Sequence, residues 1–309
     1  MTRKVAFLVL LALAAAGCRP GAPAAVKNDR LQVVATTTIV GDVVRQVGGE
    51  AVDVQVLVPA GADPHAFEPA PQDVARVAKA RMVFANGAGL EGFLDRLLAN
   101  AGGHGEVVRV SDGITLRELG EGQAAEAAGA HDHEEGDPHV WTDPNNVVVW
   151  THTIEDALAR LDPKNAARYH ANATAYRAKL QELDAWVRGQ VARVPEAKRK
   201  LVVDHEALGY FADRYGFQQV GTVFPGFSTL AEPSAQGLVA LEEAIRRHGV
   251  KAVFAGSTVN PGLARRVAAD TGTALVTLYT GSLTPPGGDA ATYIDLVRHN
   301  VAAIVEALR

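Results

Sequence analysis

The chain is nearly without cysteine: Cys18 is the only one among 309 residues. A disulfide within the chain is therefore excluded, as is any metal site built from several thiolates. Excess positive charge is missing too. A formal net charge of -5 offers no basic field for nucleic acid. Nor is there an apolar run long enough to span a bilayer, since Val5 to Ala16 is about twelve residues where about twenty are needed. What is present, 48% hydrophobic and 21% charged residues, describes a globular protein with length for two domains, each burying its own core.

The N-terminus reads as an export signal. Arg3 and Lys4 precede the apolar run, and Gly17 leads into Cys18. Small residues directly before the cysteine resemble the cleavage site of a bacterial lipoprotein precursor, so residues 1–18 are expected to be a signal peptide and Cys18 the lipidated residue anchoring the protein to the membrane. An ordinary secretory peptide that discards Cys18 is the other reading. Either way the mature protein is exported. Residues 19–30, rich in Pro, Gly and Ala, form a flexible tether.

From Leu31 onward β-branched runs alternate with amphipathic segments. Strands are expected at 31–35, 52–58, 81–85 and 107–110, with helices near 40–47, 74–79, 90–100 and 146–161. Between them, residues 121–136 lose all periodicity and form an acidic, histidine-bearing loop. Asp162-Pro163 signals a helix start, with a capping carboxylate followed by proline. Apolar residues then recur at Tyr169, Ala173, Tyr176, Leu180, Leu183, Val187 and Val191 until Pro195 ends the pattern. One helix of roughly thirty residues would reach about 45 Å, a stiff beam between two lobes. Beyond it, strands at 201–204, 218–223, 252–255 and 274–278 alternate with helices near 207–215, 234–248, 261–270 and 292–308. The fold class is α/β: two Rossmann-like lobes with mainly parallel sheets, at 31–162 and 195–309, joined by a rigid helix at 163–194. Ligands of such sheets bind in the crevice beyond the carboxyl ends of the strands.

Position sorts the ten histidines. His152, His170, His248 and His299 fall in helices among charged neighbours and His104 in a glycine turn, so all five read as surface residues. His65, His139 and His205 instead lie in loops at strand or helix ends, aimed at the crevice. The first two end the tripeptides Asp63-Pro64-His65 and Asp137-Pro138-His139, where proline stiffens the backbone that presents the imidazole. His205 comes from the second lobe, so a metal would bridge the lobes. Three imidazoles without thiolate suit zinc, copper, iron or nickel and favour zinc over magnesium or calcium. His131 and His133, just upstream of His139, form a short metal-attracting tract or a plain solvated linker.

One motif competes. Gly87, Gly89 and Gly92 follow a strand and open a helix, with Asp112 twenty residues on, which satisfies a dinucleotide fingerprint. It belongs to the third strand instead of the first, and the glycines also serve a strand-to-helix turn.

The whole mature chain resembles the solute-binding proteins of bacterial zinc and manganese ABC transporters. The resemblance rests on Gly61-Ala-Asp-Pro-His65-Ala-Phe-Glu-Pro-Ala-Pro-Gln-Asp73, Asn86-Gly-Ala-Gly-Leu-Glu91, Asp137-Pro-His-Val-Trp-Thr-Asp-Pro144, His205-Glu-Ala-Leu-Gly-Tyr-Phe-Ala-Asp-Arg-Tyr215 and Tyr293-Ile-Asp-Leu-Val-Arg-His-Asn300. It implies a metal between two lobes, delivery to a membrane permease, and ligands at His65, His139 and His205. It also implies that the glycine fingerprint is only a turn. The fourth ligand does not carry over: Gly281 stands where many members have aspartate, and Gly256 where relatives often carry an acidic residue. Water, His131 or His133, or a weakened site are the alternatives.

The function expected is capture of zinc, with manganese second, by a monomeric shuttle that releases its ion on docking. The competing class is an exported zinc hydrolase with Asp204 or Glu206 as base, because three histidines with an open position also describe catalytic zinc. A metal-binding surface adhesin is a third reading.

Overall fold

The computed structural model describes residues 30–102, 105–118 and 136–309. The expected signal peptide with Cys18, residues 19–29 of the tether, His104, and loop residues 121–135 with His131 and His133 lie outside them. Among the described residues no helix is long and apolar enough to cross a membrane.

Two four-stranded parallel sheets carry the fold. The first contains β1 (Leu31–Ala35), β2 (Val52–Val56), β3 (Met82–Ala85) and β4 (Glu106–Arg109) in the order β2-β1-β3-β4. The second contains β5 (Lys200–Val203), β6 (Gln218–Thr222), β7 (Ala252–Gly256) and β8 (Ala274–Leu278) in the order β6-β5-β7-β8. Each order reverses beside its first strand, β1 or β5, which opens a crevice at the strands' carboxyl ends. The helices are α1 (Thr38–Gly48), α2 (Pro71–Lys79), α3 (Leu94–Asn100), α4 (Pro144–Leu161), α5 (Ala166–Val191), α6 (Gly209–Tyr215), α7 (Ala235–His248), α8 (Gly262–Thr271) and α9 (Tyr293–Leu308).

The long helix is α5, 26 residues or about 39 Å. Its buried residues are the seven whose spacing defines the apolar stripe, Tyr169 to Val191. Its start differs from the expected cap. A 3-10 turn, Pro163–Asn165, comes first, and the Asp162 carboxylate caps no backbone amide there. It accepts instead from the Asn165 side-chain Nδ2 at 2.7 Å and the Tyr169 hydroxyl at 2.8 Å.

The expectation of two separate cores is corrected. Alternate strand residues do face opposite ways, as the pleat demands. Val34, Val83 and Ala85 pack outward under α2 and α3, and Val202, Val253 and Ala255 pack outward under α7 and α8. The inward set is one cluster across both lobes. Val33, Ala35 and Phe84 of the first sheet share it with Leu201, Val203 and Phe254 of the second, through α1, α4, α5 and α9. Asp42 on α1 adds a polar tie by accepting the Tyr293 amide of α9 at 2.9 Å.

Several boundaries also move, two of them with a visible cause. Strand β2 stops at Val56, although Leu57 and Val58 still donate to Ala35 and Thr36. Helix α3 starts at Leu94 instead of Leu90, because residues 87–89 turn with positive φ (82°, 51° and 74°).

Candidate metal centre

His65 lies in the loop between β2 and α2, His139 at the head of the turn leading into α4, and His205 two residues beyond β5. Although 74 and 66 residues separate them in sequence, the Nε2 atoms of His65 and His139 stand 3.2 Å apart, and those of His139 and His205 also 3.2 Å. All three ligand atoms lie within 4.8 Å of one another. Tetrahedral zinc with bonds of about 2.0–2.1 Å holds its donors about 3.3 Å apart, so the two 3.2 Å separations fit such an ion. His139 and His205 are buried and His65 half-buried. Between them and Asp63, Pro64, Trp141, Thr258, Thr280 and Gly281 is a cavity of about 10 Å³.

Carboxylates set the imidazoles. Asp137 Oδ1 accepts from both the backbone amide and Nδ1 of His139, each at 2.9 Å. Asp204 Oδ1 does the same for His205, at 2.8 and 2.9 Å, while its Oδ2 takes the Gly256 amide at 2.7 Å. An ionised carboxylate only accepts, so Nδ1 of both rings donates, and in the neutral rings this leaves the Nε2 lone pairs facing each other. Two acceptors at 3.2 Å repel, and a cation between them removes the conflict. In the Asp-Pro-His segment at 63–65, Asp63 Oδ1 accepts the His65 amide at 3.0 Å, and Oδ2 takes the Thr229 hydroxyl of the second lobe at 2.6 Å.

Burial raises the Asp137 carboxyl to about 6 against the opposing pull of the His139 amide and Arg117. Burial works against a charge on His205 too, but Asp204, with Asp63 and Asp137 farther off, outweighs it and holds His205 above its ordinary value. Asp204 is held below its ordinary value, because the His205 partnership and its amide bonds overcome burial.

A bracket from the second lobe supports His139, and sequence reasoning missed it. Arg117 donates to Asp137 Oδ2 at 3.0 Å and to Asp213 on α6 at 2.6 Å. Tyr210 on α6 donates to the Asp137 carbonyl at 2.8 Å and accepts the Arg117 amide at 3.1 Å. Gly209 makes this possible, since a Cβ there would collide with the Arg117 guanidinium and reach Asp137 Oδ2 at 2.9 Å. These partners meet only in the tertiary fold; the available signal was the aspartate preceding each histidine.

The other histidines are elsewhere. His152 and His170 are exposed and contact Arg177 and Glu155; His248 and His299 are half-buried, and the His299 ring packs on Tyr279 at 4.7 Å. The glycine motif is a turn with its own anion. Glu91, buried, accepts from the Asn86 and Gly87 amides at 2.7 and 3.0 Å and from the Thr36 hydroxyl at 2.6 Å. Those amides are the ones a phosphate would need. The bases imagined for a hydrolase fail similarly. Asp204 is committed to His205 and Gly256, Glu206 bonds Gln219, and neither lines the cavity.

Two α/β lobes with a histidine cluster in the crevice define a solute-binding protein for a metal ion, working outside the cytoplasmic membrane for an ABC-type importer, and not an enzyme. The chain belongs to the family described as zinc-uptake complex component A, periplasmic, whose model matches residues 33–307. Its relatives include the manganese-binding lipoprotein MntA of Halalkalibacterium halodurans, 34% identical with 99% of each chain covered. The metal ABC transporter substrate-binding lipoprotein SsaB of Streptococcus sanguinis is 29% identical, again over 99% of each. Among solved structures, the periplasmic zinc-binding protein TroA of Treponema pallidum superposes with a TM-score of 0.81 at 27% identity, covering 90% of this chain and 99% of that one. The manganese-bound periplasmic metal-binding protein of Candidatus Liberibacter asiaticus gives 0.79 at 27% identity, covering 91% and 100%.

Proposed function

We propose that His65, His139 and His205 bind zinc through their Nε2 atoms, with manganese second, and that the protein carries the ion to a membrane permease. The observation behind this reading is the donor set: three convergent imidazole nitrogens with no carboxylate oxygen in the group. Nitrogen ligands suit zinc, while manganese prefers oxygen. The names of several relatives, MntA among them, favour manganese as the second reading.

The ion enters between lobes 31–162 and 195–309, with 163–194 as the connection, and His205 closes the second lobe onto it. Docking on the permease then pulls the ligands apart. Lipid at Cys18 keeps this monomeric shuttle at the membrane.

Calorimetric titration of metal-stripped residues 19–309 with zinc and then manganese, beside His205→Ala, tests the reading. One tight zinc site, weaker manganese and loss of zinc in the variant are expected. Tight manganese with weak zinc overturns the assignment, and unchanged zinc binding in the variant overturns the site.

A further inference from the structure

The cavity wall apart from the three imidazoles and Trp141 consists of Asp63, Pro64, Thr258, Thr280 and Gly281. Pro64 and Gly281 bring no side-chain donor. Both Asp63 oxygens are engaged, Oδ1 by the His65 amide and Oδ2 by Thr229. Trp141 turns its indole N–H to the Thr280 carbonyl at 2.9 Å. The side-chain oxygens left on this wall are the hydroxyls of Thr258 and Thr280.

Thr280 is 5% exposed, and its hydroxyl is buried without a hydrogen-bond partner among the described residues. Buried hydroxyls are nearly always satisfied, so this one, on a residue that lines the cation site, calls for a partner. Two glycines leave room for these oxygens. A Cβ on Gly281 would come within 3.2 Å of the Thr258 hydroxyl, and a Cβ on Gly256 would overlap that of Thr280.

We propose that Thr280, with Thr258 beside it, holds a water molecule as the fourth ligand of the ion. Metal-bound water is a strong two-proton donor, and each threonine oxygen offers lone pairs to receive it. The inner shell is then three neutral nitrogens and one neutral oxygen, which favours zinc over an ion that seeks carboxylate. Thr258 and Thr280 thus act as specificity residues at the site proposed above, and the inference rests on that three-histidine reading.

The test uses the whole mature chain loaded with Co²⁺, whose visible bands report coordination, alongside zinc titration. Thr280→Val keeps the shape and removes the hydroxyl. It is expected to change the cobalt spectrum and weaken zinc about tenfold, while Thr280→Ser retains both. Thr258→Val should show a smaller change in the same direction, and Thr280→Ala serves if the valine variant does not fold. An unchanged spectrum and zinc affinity in the Thr258→Val/Thr280→Val double variant overturn the proposal. His139→Ala separates the two readings. A cobalt spectrum surviving in that variant defeats the three-histidine site, whereas its loss there with silent threonine variants defeats only the water-holding role.

Discussion

His139 and His205 meet Nε2 to Nε2 at 3.2 Å while each gives its Nδ1 proton to an aspartate behind it, Asp137 or Asp204. With both rings neutral, the facing Nε2 lone pairs are arranged for a cation, and a proton on either ring competes for the same place. Binding strength should therefore follow the protonation of these rings.

Zinc affinity is expected to fall as pH drops through the histidine range. Protonated imidazole cannot ligate, and Asp204 holds His205 above its ordinary 6.5, so proton competition begins at a higher pH than a free histidine would show. The metal-free fold responds with the opposite sign: the raised His205 value contributes stability below 6.5 that is lost as pH rises through the folded value. Asp137, raised to about 6, titrates in the same window and steepens the loss of metal in acid. Calorimetry at several pH values checks this, and a flat zinc affinity from mildly acidic to neutral pH would refute it.

Breaking the bracket behind His139 should weaken metal binding without removing a ligand. Arg117→Ala leaves Asp137 with less support, and Gly209→Ala drives a methyl group into the Arg117 guanidinium. Losing the outer partners of a metal-bound histidine typically costs about 10- to 100-fold in affinity. Zinc release into a chelator, followed by stopped flow, should speed up correspondingly in both variants.

Gly281→Asp should move preference toward manganese by placing a carboxylate beside the cavity. The fit is tight, because the new Cβ would lie 3.1 Å from Pro64 Cδ and 3.2 Å from the Thr258 hydroxyl. The variant is expected to raise the manganese-to-zinc affinity ratio and to melt a few degrees lower, about 1 kcal/mol. Competition titration reads the first effect and thermal melting the second.

Leu180, fully buried on α5 in the cluster common to both lobes, should destabilise the whole molecule when cut to alanine, by about 2–5 kcal/mol. Urea unfolding followed by tryptophan fluorescence and by far-ultraviolet circular dichroism should give coincident transitions. Trp141, Trp150 and Trp186 all precede the second sheet, so separate transitions would show the lobes unfolding independently.

Much of this was legible in residue spacing. The limits of β1 and β8, at 31–35 and 274–278, match the apolar runs: β1 is a central strand buried at 33–35, while β8, at the sheet edge, keeps the run although Ala274 and Thr277 are exposed. The stripe of α5 was readable because its period does not depend on what packs against it. The start of α3 was not, since Glu91 looks like a helix former until its carboxylate is seen holding the Asn86 and Gly87 amides. Asp-Pro-His marked His65 and His139 as stiffly presented, and the structure adds an aspartate-to-amide bond in both. Arg117 and Gly209 carried no local signal, because the bracket they form needs a partner from the other lobe.

The continuous cluster through α1, α4, α5 and α9 limits how such a protein can change its cargo. Neither lobe can be exchanged for a relative's without also replacing helices that the other lobe depends on. Metal preference is free to drift only at the rim of the crevice, at strand ends and short loops such as those bearing Gly256 and Gly281. A new ion is therefore acquired one side chain at a time, on a frame inherited whole.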